Sequence, residues 1–149
     1  MNLLRTIPVC NSSRAPLKLI KEVDVLGSTN AAATIAVQDI AVARKFYEDK
    51  LGLELSGTEG ETVRAYRSGS STILVYESRF AGTNKATAAT WLVGDALEAI
   101  VRALTAKGVV FEHYDLPETT RQGDAHVSGK TRVAWFKDPD GNILSIVNG

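Results

Sequence analysis

Apolar residues recur along this chain with two spacings, and the same order of spacings occurs twice. Residues 34–37 form a short apolar run that predicts a strand, and Asp39 follows where it can cap a helix. Apolar residues then return at helical spacing as far as Leu51, and Gly52 indicates the end of the helix. Apolar runs separated by turn residues predict three more strands, at 53–55, 62–66 and 72–76.

The second half repeats this order. Residues 90–93 predict a strand, Asp95 begins a helix, and Gly108 ends it. Residues 109–111 predict another strand, and a long polar loop then leads to two strands that flank the turn at 138–141. The pattern therefore predicts an α+β fold of two tandem βαβββ modules, residues 31–80 and 88–148. Because the helix of such a module covers only one sheet face, we expect a curved, open-barrel-like mixed sheet with the helices outside.

Residues 1–30 are predicted to form an N-terminal arm, separate from a single domain at 31–149. This segment contains Pro8 and Pro16. Arg5 and Pro8 interrupt the continuous apolar run that a signal peptide would need. Residues 17–26 have the composition of a strand or a short helix. Two alternatives stay open: this segment packs on the domain or on a partner, or it is mobile.

Composition and charge narrow the classes of partner. Lys plus Arg and Asp plus Glu both number 17, so no basic field attracts nucleic acid or an anionic membrane, and neutrality favours self-association. Cys10 is the only cysteine, which excludes an intrachain disulfide and suits a reducing compartment. No apolar run approaches the roughly 20 residues of a membrane span. We therefore expect a soluble, cytoplasmic protein without nucleic-acid or membrane partners.

Matching motifs occur in the two modules. The first module contains Val37-Gln38-Asp39, with 43–47 and 51–53 downstream, and the second contains Val93-Gly94-Asp95, with 107–109 and 136–142 downstream. In these motifs the chain resembles the vicinal oxygen chelate superfamily, which includes glyoxalase I, bleomycin-resistance proteins, fosfomycin-resistance enzymes and extradiol dioxygenases. The resemblance covers residues 31–147 and implies the fold. It leaves the chemistry open, because one fold hosts many functions.

The resemblance also bears on metal binding. In metal-using members the ligands come from the first and last strands of each module, at positions that correspond here to Ala32, Leu74, Ala89 and Ser145. Alanine and leucine offer no ligand atom, and a neutral serine hydroxyl is a poor ligand beside carboxylate or imidazole. A shift of one residue supplies no better donor and would turn the side chain to the other sheet face. We therefore expect no metal and no other cofactor, and we assign no catalytic residue.

Strand alternation indicates which side chains line the cavity. The residues expected to face it are small or apolar, apart from the rings of Tyr76 and Trp91, and such a lining suits a flat, partly apolar ligand. The predicted ligand-binding residues are Thr34, Tyr66, Leu74, Tyr76, Trp91, His113, Phe136 and Ser145. The alternative for the aromatic residues is packing in the core or at a dimer interface, and for Phe136 core packing is the favoured interpretation.

The two histidines, His113 and His126, lie in the long polar loop. One hypothesis makes them an improvised metal site with Asp115 or Asp124. The favoured interpretation is that both are surface-loop residues. A third places His113 or Tyr114 at the cavity mouth in contact with ligand, because long loops are often functional.

Three functions remain open. The leading hypothesis is a metal-free, homodimeric small-molecule-binding protein that binds or sequesters a planar, partly apolar compound such as an antibiotic. The resemblance supports it, because the drug-binding branch of the superfamily also lacks metal ligands. The alternative is a glyoxalase-like lyase or isomerase, or a dioxygenase-type enzyme, that uses a metal or an acid–base pair of Tyr76 with Glu77 or His113. The third is a partner-binding role for the N-terminal arm.

Overall fold

The computed structural model describes residues 26–27 and 29–149. In that part of the chain the first module consists of β1 (Ala33–Val37), α1 (Ile40–Arg44) with a π-helical continuation (Lys45–Lys50), β2 (Glu54–Glu59), β3 (Val63–Ser68) and β4 (Ser71–Glu77). The second consists of β5 (Thr87–Leu92), a 3₁₀ turn (Gly94–Ala96), α2 (Leu97–Ala106), β6 (Phe111–Glu112), β7 (Thr120–Gln122), β8 (Ala125–Ser128), β9 (Thr131–Lys137) and β10 (Ile143–Val147). The predicted α+β class and the order of the two modules are confirmed. The predicted arm lies outside the described residues, except for 26–27 and 29–30.

The strands form two mixed sheets with the same plan. The first has the order β1-β4-β3-β2, and the second has the order β5-β10-β9-β8-β7, with β6 also paired to β9. In each sheet the first strand of the module lies parallel to the last, β1 beside β4 and β5 beside β10. The two sheets do not close into a barrel. The region predicted as one long polar loop contains a hairpin, β7–β8, which extends the second sheet.

Helix α1 begins where the sequence predicts it. The Asp39 carboxylate accepts hydrogen bonds from the backbone amides of Ala41 (2.7 Å) and Val42 (3.1 Å), as an N-cap does. Glu77, at the end of β4, accepts another from the amide of Ile40 at 3.1 Å. The helix continues in π-helical form and ends at Gly52, whose φ of +70° suits glycine. The strand, the helix start and the helix end are therefore tied together by local hydrogen bonds.

One hydrophobic core is shared by the two modules. Tyr47 stacks on Tyr66 with ring centroids 6.1 Å apart, and Phe46 lies edge-on to Tyr47 at 5.2 Å. Phe46 also reaches Phe136 of the second sheet, at 6.4 Å. All four of these rings are buried. Burial of this much aromatic surface holds the π-helical segment of one module against the sheet of the other.

The turn at 138–142 joins the modules through a buried carboxylate. Asp138 is 5% exposed and accepts hydrogen bonds from the Tyr47 hydroxyl (2.8 Å) and from the amides of Asp140 and Asn142. The Asn142 side-chain amide donates to Asp138 and, at 2.8 Å, to the carbonyl of Ala36 in β1. This turn therefore serves as a cross-link between the modules.

Gly82, in the segment between the modules, lies against the same turn. A Cβ placed on this glycine would come within 2.1 Å of the Asp140 carbonyl oxygen, and its φ is +70°. Any larger residue there would push the turn away from the linker.

In the described residues no helix is long and apolar enough to span a membrane.

Candidate functional site

The residues predicted to bind ligand fall into separate regions of the molecule. We call the sheet surface that packs against the helices the helix face, and the opposite surface the open face. Thr34, Leu74 and Tyr76 lie on the open face of the first sheet, opposite the buried Ile35, Val37, Ile73 and Val75. Ser145 lies on the open face of the second sheet, and His113 lies beyond β6 beside a group of aromatic side chains. Tyr66, Trp91 and Phe136 lie on the helix side.

The predicted orientation of β5 is wrong. The sequence predicts Trp91 on the open face, but Trp91 lies beside Ile146 on the helix face, and its neighbour Leu92 is 79% exposed. The pairing with β10 explains this, because Thr90 aligns with Ser145 and Trp91 aligns with Ile146. Thr90, rather than Ala89, is therefore the residue of β5 that lies opposite Ser145. This shift of one residue places every side chain of β5 on the sheet face opposite to the expected one.

Trp91 lines an apolar cavity of about 280 Å³ on the helix face. Its ring stacks on Phe136 with centroids 6.3 Å apart and planes inclined by 23°. Its indole Nε1–H donates to the Ser68 hydroxyl at 2.8 Å, so the polar end of the ring is satisfied. The cavity lies between the end of the π-helical segment and helix α2. Its lining is Leu51, Leu53, Ser68, Trp91, Val93, Ile100, Leu104, Phe136 and Ile146.

A cleft of about 510 Å³ adjoins this cavity. It lies between the start of β1, the β3–β4 turn and β5, and it shares Ser68, Trp91 and Val93 with the cavity. Five of its lining residues carry hydroxyl groups: Ser68, Ser70, Ser71, Thr72 and Thr90. The two spaces therefore form one groove with an apolar end and a hydroxyl-lined end.

Tyr66 belongs to the core and lines neither the cavity nor the cleft. Its side chain is fully buried, stacks on Tyr47, and donates its hydroxyl proton to Glu48 at 3.1 Å. Burial, aided by the hydrogen bond to Glu48, raises the pKa of Tyr66 to about 12. The phenol therefore stays protonated near neutral pH.

A second aromatic group, which we call the His126 cluster, covers part of the open face of the second sheet. It consists of Tyr114, His126 and Trp135, with His113 beside it. The Trp135 ring has two neighbours that lie edge-on to it, the His126 ring at 5.0 Å and the Tyr114 ring at 5.5 Å between ring centroids. His126 Nε2 accepts a hydrogen bond from the Tyr114 amide at 2.9 Å, so in the neutral ring the proton sits on Nδ1. In the described residues this Nδ1 and the Tyr114 hydroxyl are buried without a partner.

The interpretation of both histidines as surface-loop residues is wrong for His126. It is 3% exposed and lies in β8, whereas His113 is exposed and pairs with Asp124 at 3.0 Å. The alternation of Ala125 and Val127 around His126 is a weak strand signal that the sequence interpretation missed. Among the described residues, no group of three or more His, Cys, Asp or Glu side chains is placed to hold a metal ion.

Comparison with known families identifies the fold. The family model described as Glyoxalase/Bleomycin resistance protein/Dioxygenase superfamily matches residues 29–146. The chain belongs to this superfamily. The resemblance drawn from the sequence motifs is thereby confirmed. A comparison with curated proteins found no match.

Three solved structures show the same fold. The fosfomycin resistance protein FosX from Listeria monocytogenes matches with 14% identity and a TM-score of 0.63, over 82% of this chain and 93% of that one. An integron cassette protein from the mobile metagenome of the Halifax Harbour sewage outfall matches with 17% identity and a TM-score of 0.60, over 80% and 97%. Lactoylglutathione lyase from Agrobacterium tumefaciens matches with 16% identity and a TM-score of 0.59, over 80% and 92%.

The donor atoms at the superfamily's metal positions do not fit a divalent metal in this chain. On the open faces, Thr34 pairs with Leu74 across β1 and β4, and Thr90 pairs with Ser145 across β5 and β10. Thr90 therefore stands where Ala89 was expected, and the exposed Ala32 precedes β1. The hydroxyls of Thr90 and Ser145 hydrogen-bond to each other at 2.8 Å. Neutral hydroxyls and a hydrocarbon do not replace the imidazole and carboxylate ligands that such metals need.

Proposed function

We propose that this protein binds a planar, partly apolar small molecule without using a metal. The observation that carries the proposal is the 280 Å³ cavity, in which two of the residues predicted to bind ligand, Trp91 and Phe136, form a stacked aromatic wall. The hydroxyl and hydrocarbon set at Thr34, Leu74, Thr90 and Ser145 supports the metal-independent part of the proposal.

The size of the cavity suits a compound with one or two fused rings. Pockets for drug-sized ligands measure about 300–1,000 Å³, and an apolar cavity of about 150 Å³ holds benzene. Aromatic ligands gain from stacking on an aromatic wall as well as from burial of their apolar surface. Compounds of this shape include planar antibiotics, and sequestration of such a compound is the role that we infer.

The open-face residues contribute differently. Thr34, Leu74, Tyr76 and His113 lie away from the cavity, so we assign them to a secondary surface where a larger ligand or a second copy of the chain makes contact. Ser145 is 2% exposed and its hydroxyl is hydrogen-bonded to Thr90, so we assign it a structural role. Glu77 caps helix α1 through the amide of Ile40, so its carboxylate is already engaged and is a poor partner for Tyr76 in acid–base chemistry. We further infer a cytoplasmic homodimer whose domain spans residues 31–149.

Two measurements on the full chain test the proposal. Elemental analysis of protein purified without chelator should find no stoichiometric metal. Neutral planar aromatic compounds should raise the melting temperature in a concentration-dependent manner, because they bind only the folded state. A stoichiometric metal, or no stabilisation by any compound of the panel, would contradict the proposal.

The two tryptophans provide a matched control. Quenching of tryptophan fluorescence by a bound compound should persist in Trp135→Phe and disappear in Trp91→Phe, because only Trp91 lines the cavity. The reverse pattern would place the ligand on the open face of the second sheet instead.

A further inference from the structure

The groove that we propose as the binding site has two ends of different chemistry, and in the part of the chain that the structure describes neither end is charged. From this we propose that the ligand is an uncharged molecule with two parts: a planar apolar end seated in the cavity and a hydroxylated end seated in the cleft. This inference rests on the proposed function and specifies the ligand class of the same site.

The cavity end accepts only apolar groups. Of the nine described residues that line it, eight are aliphatic or aromatic, and the ninth, Ser68, places its hydroxyl at the boundary with the cleft. A polar substituent buried deep in this space would lose its hydrogen bonds to water without gaining others. The ligand part that enters the cavity is therefore a bare ring system.

The boundary between the two ends carries a directed donor. Ser68 Oγ accepts the indole proton of Trp91 at 2.8 Å, so the hydroxyl still has its own proton to donate. A ligand oxygen that links a ring to a polar group would accept this proton at the point where the cavity opens into the cleft. Ser68 is thus the residue that sets the position of the linkage.

The cleft end offers hydroxyl groups that both donate and accept. Ser70, Ser71 and Thr72 are exposed along one wall, and Thr90, whose hydroxyl is already bonded to Ser145, stands on the other. A surface of alternating donors and acceptors without charge matches the hydroxyl groups of a sugar or another polyol. The larger volume of the cleft leaves room for a polar part at least as large as the ring.

Electrostatics distinguishes this ligand from an anion. Among the described residues, none of those lining the cavity or the cleft carries a charge. Arg67 adjoins Ser68 in sequence, but its guanidinium is paired with Glu54. Phosphate and carboxylate groups are normally held by arginine or lysine in charge-assisted hydrogen bonds, which this groove does not supply. A charged polar end is therefore disfavoured relative to a neutral one.

Three probes with one ring system test the inference by titration calorimetry on the full chain: naphthol, naphthyl glucoside and naphthyl phosphate. The glucoside should bind about 5-fold more tightly than naphthol, as expected for one or two net hydrogen bonds, and the phosphate should bind at least about 10-fold more weakly than the glucoside. Equal or tighter binding of the phosphate, or no gain from the sugar, would overturn the inference while naphthol binding upholds the proposed function. Failure of all three probes would overturn both.

Variants at each end locate the two parts of the ligand. Ile100→Trp fills the cavity, so it should abolish binding of all three probes. The double variant Ser70→Ala with Thr72→Val removes cleft hydroxyls from exposed positions, so it should lower the affinity for the glucoside to that for naphthol and leave naphthol binding unchanged. The matched control, Thr58→Val with Ser128→Ala, makes the same changes at exposed strand positions outside the groove and should leave all three affinities unchanged. Equal losses in the double variant and the control would overturn the assignment of the cleft.

Discussion

Two buried polar clusters in this protein differ in how completely their hydrogen-bonding groups are satisfied. At the junction of the modules, Asp138 accepts hydrogen bonds from Tyr47, from two backbone amides and from the Asn142 side chain. In the His126 cluster, one ring nitrogen of His126 and the hydroxyl of Tyr114 are buried with no partner among the described residues. In the first cluster the polar groups are hydrogen-bonded to one another, and these bonds hold the modules together. In the second cluster two polar groups have no hydrogen-bond partner among the described residues.

The two clusters therefore differ in how much they stabilise the fold. A satisfied buried cluster is costly to break, because removal of one member leaves the others desolvated and unpaired. An unsatisfied group has already lost its hydrogen bonds to water, so its removal costs little.

Asp138→Ala should give the largest effect. The substitution leaves the Tyr47 hydroxyl and the Asn142 amide without their acceptor inside the core, and we expect a loss of about 3–5 kcal/mol in the free energy of unfolding, as for other broken buried networks. Urea unfolding followed by circular dichroism measures it. Because Asp138 lines neither groove end, naphthol affinity of the fraction that remains folded should be unchanged. A loss below about 1 kcal/mol would show that the junction is not a stabilising cross-link.

Alkaline pH should lower the free energy of unfolding through Tyr47, which bonds to Asp138, and through Tyr66, which stacks on Tyr47. In the unfolded chain a tyrosine ionises near pH 10, whereas burial holds the pKa of Tyr66 at about 12 and also raises the pKa of Tyr47, which lies beside the Asp138 charge. The unfolded state therefore loses its protons first as pH rises above 10. Stability should be constant with respect to these groups below that pH and should fall between 10 and 12.

Tyr66→Phe provides the control for this pH dependence. The variant lacks one of the two tyrosines whose pKa is raised in the folded state, so its urea midpoint should fall less steeply with pH than that of the wild type. Parallel slopes in the two proteins would contradict the assignment of the pH dependence to Tyr66.

Much of the fold was predictable because it is recorded in local patterns. Asp39 marks a helix start through its side-chain carboxylate, Gly52 marks a helix end through its positive φ, and the turn residues at 138–141 mark the strands that flank them. The π-helical form of 45–50 carries no separate local signal. The β7–β8 hairpin was missed because the exposed β7 has no apolar alternation and its pairing with β8 is a property of the folded sheet.

The candidate site was less predictable because it depends on register between distant strands. Leu74 and Ser145 were placed on the correct faces, since both lie in strands with clear alternation. Trp91 was placed on the wrong face, because Ala88, Ala89 and Thr90 give no alternation by which to orient β5. Which residue of β5 meets Ser145 is decided by the parallel pairing with β10, and no local sequence feature reports it.

Tyr114→Phe should have the smallest effect on the free energy of unfolding, and it tests the His126 cluster most directly. The variant removes a buried hydroxyl that has no partner among the described residues, while the ring keeps its packing on Trp135 and the backbone amide keeps its bond to His126. We expect the free energy of unfolding to stay within about 0.5 kcal/mol of wild type or to rise. Tyr47→Phe is the matched control: it removes a hydroxyl that donates to a buried carboxylate and should cost about 1.5–3 kcal/mol. Equal losses from the two variants would show that the Tyr114 hydroxyl has a partner in solution, such as a bound water, and that the two clusters do not differ in the way proposed.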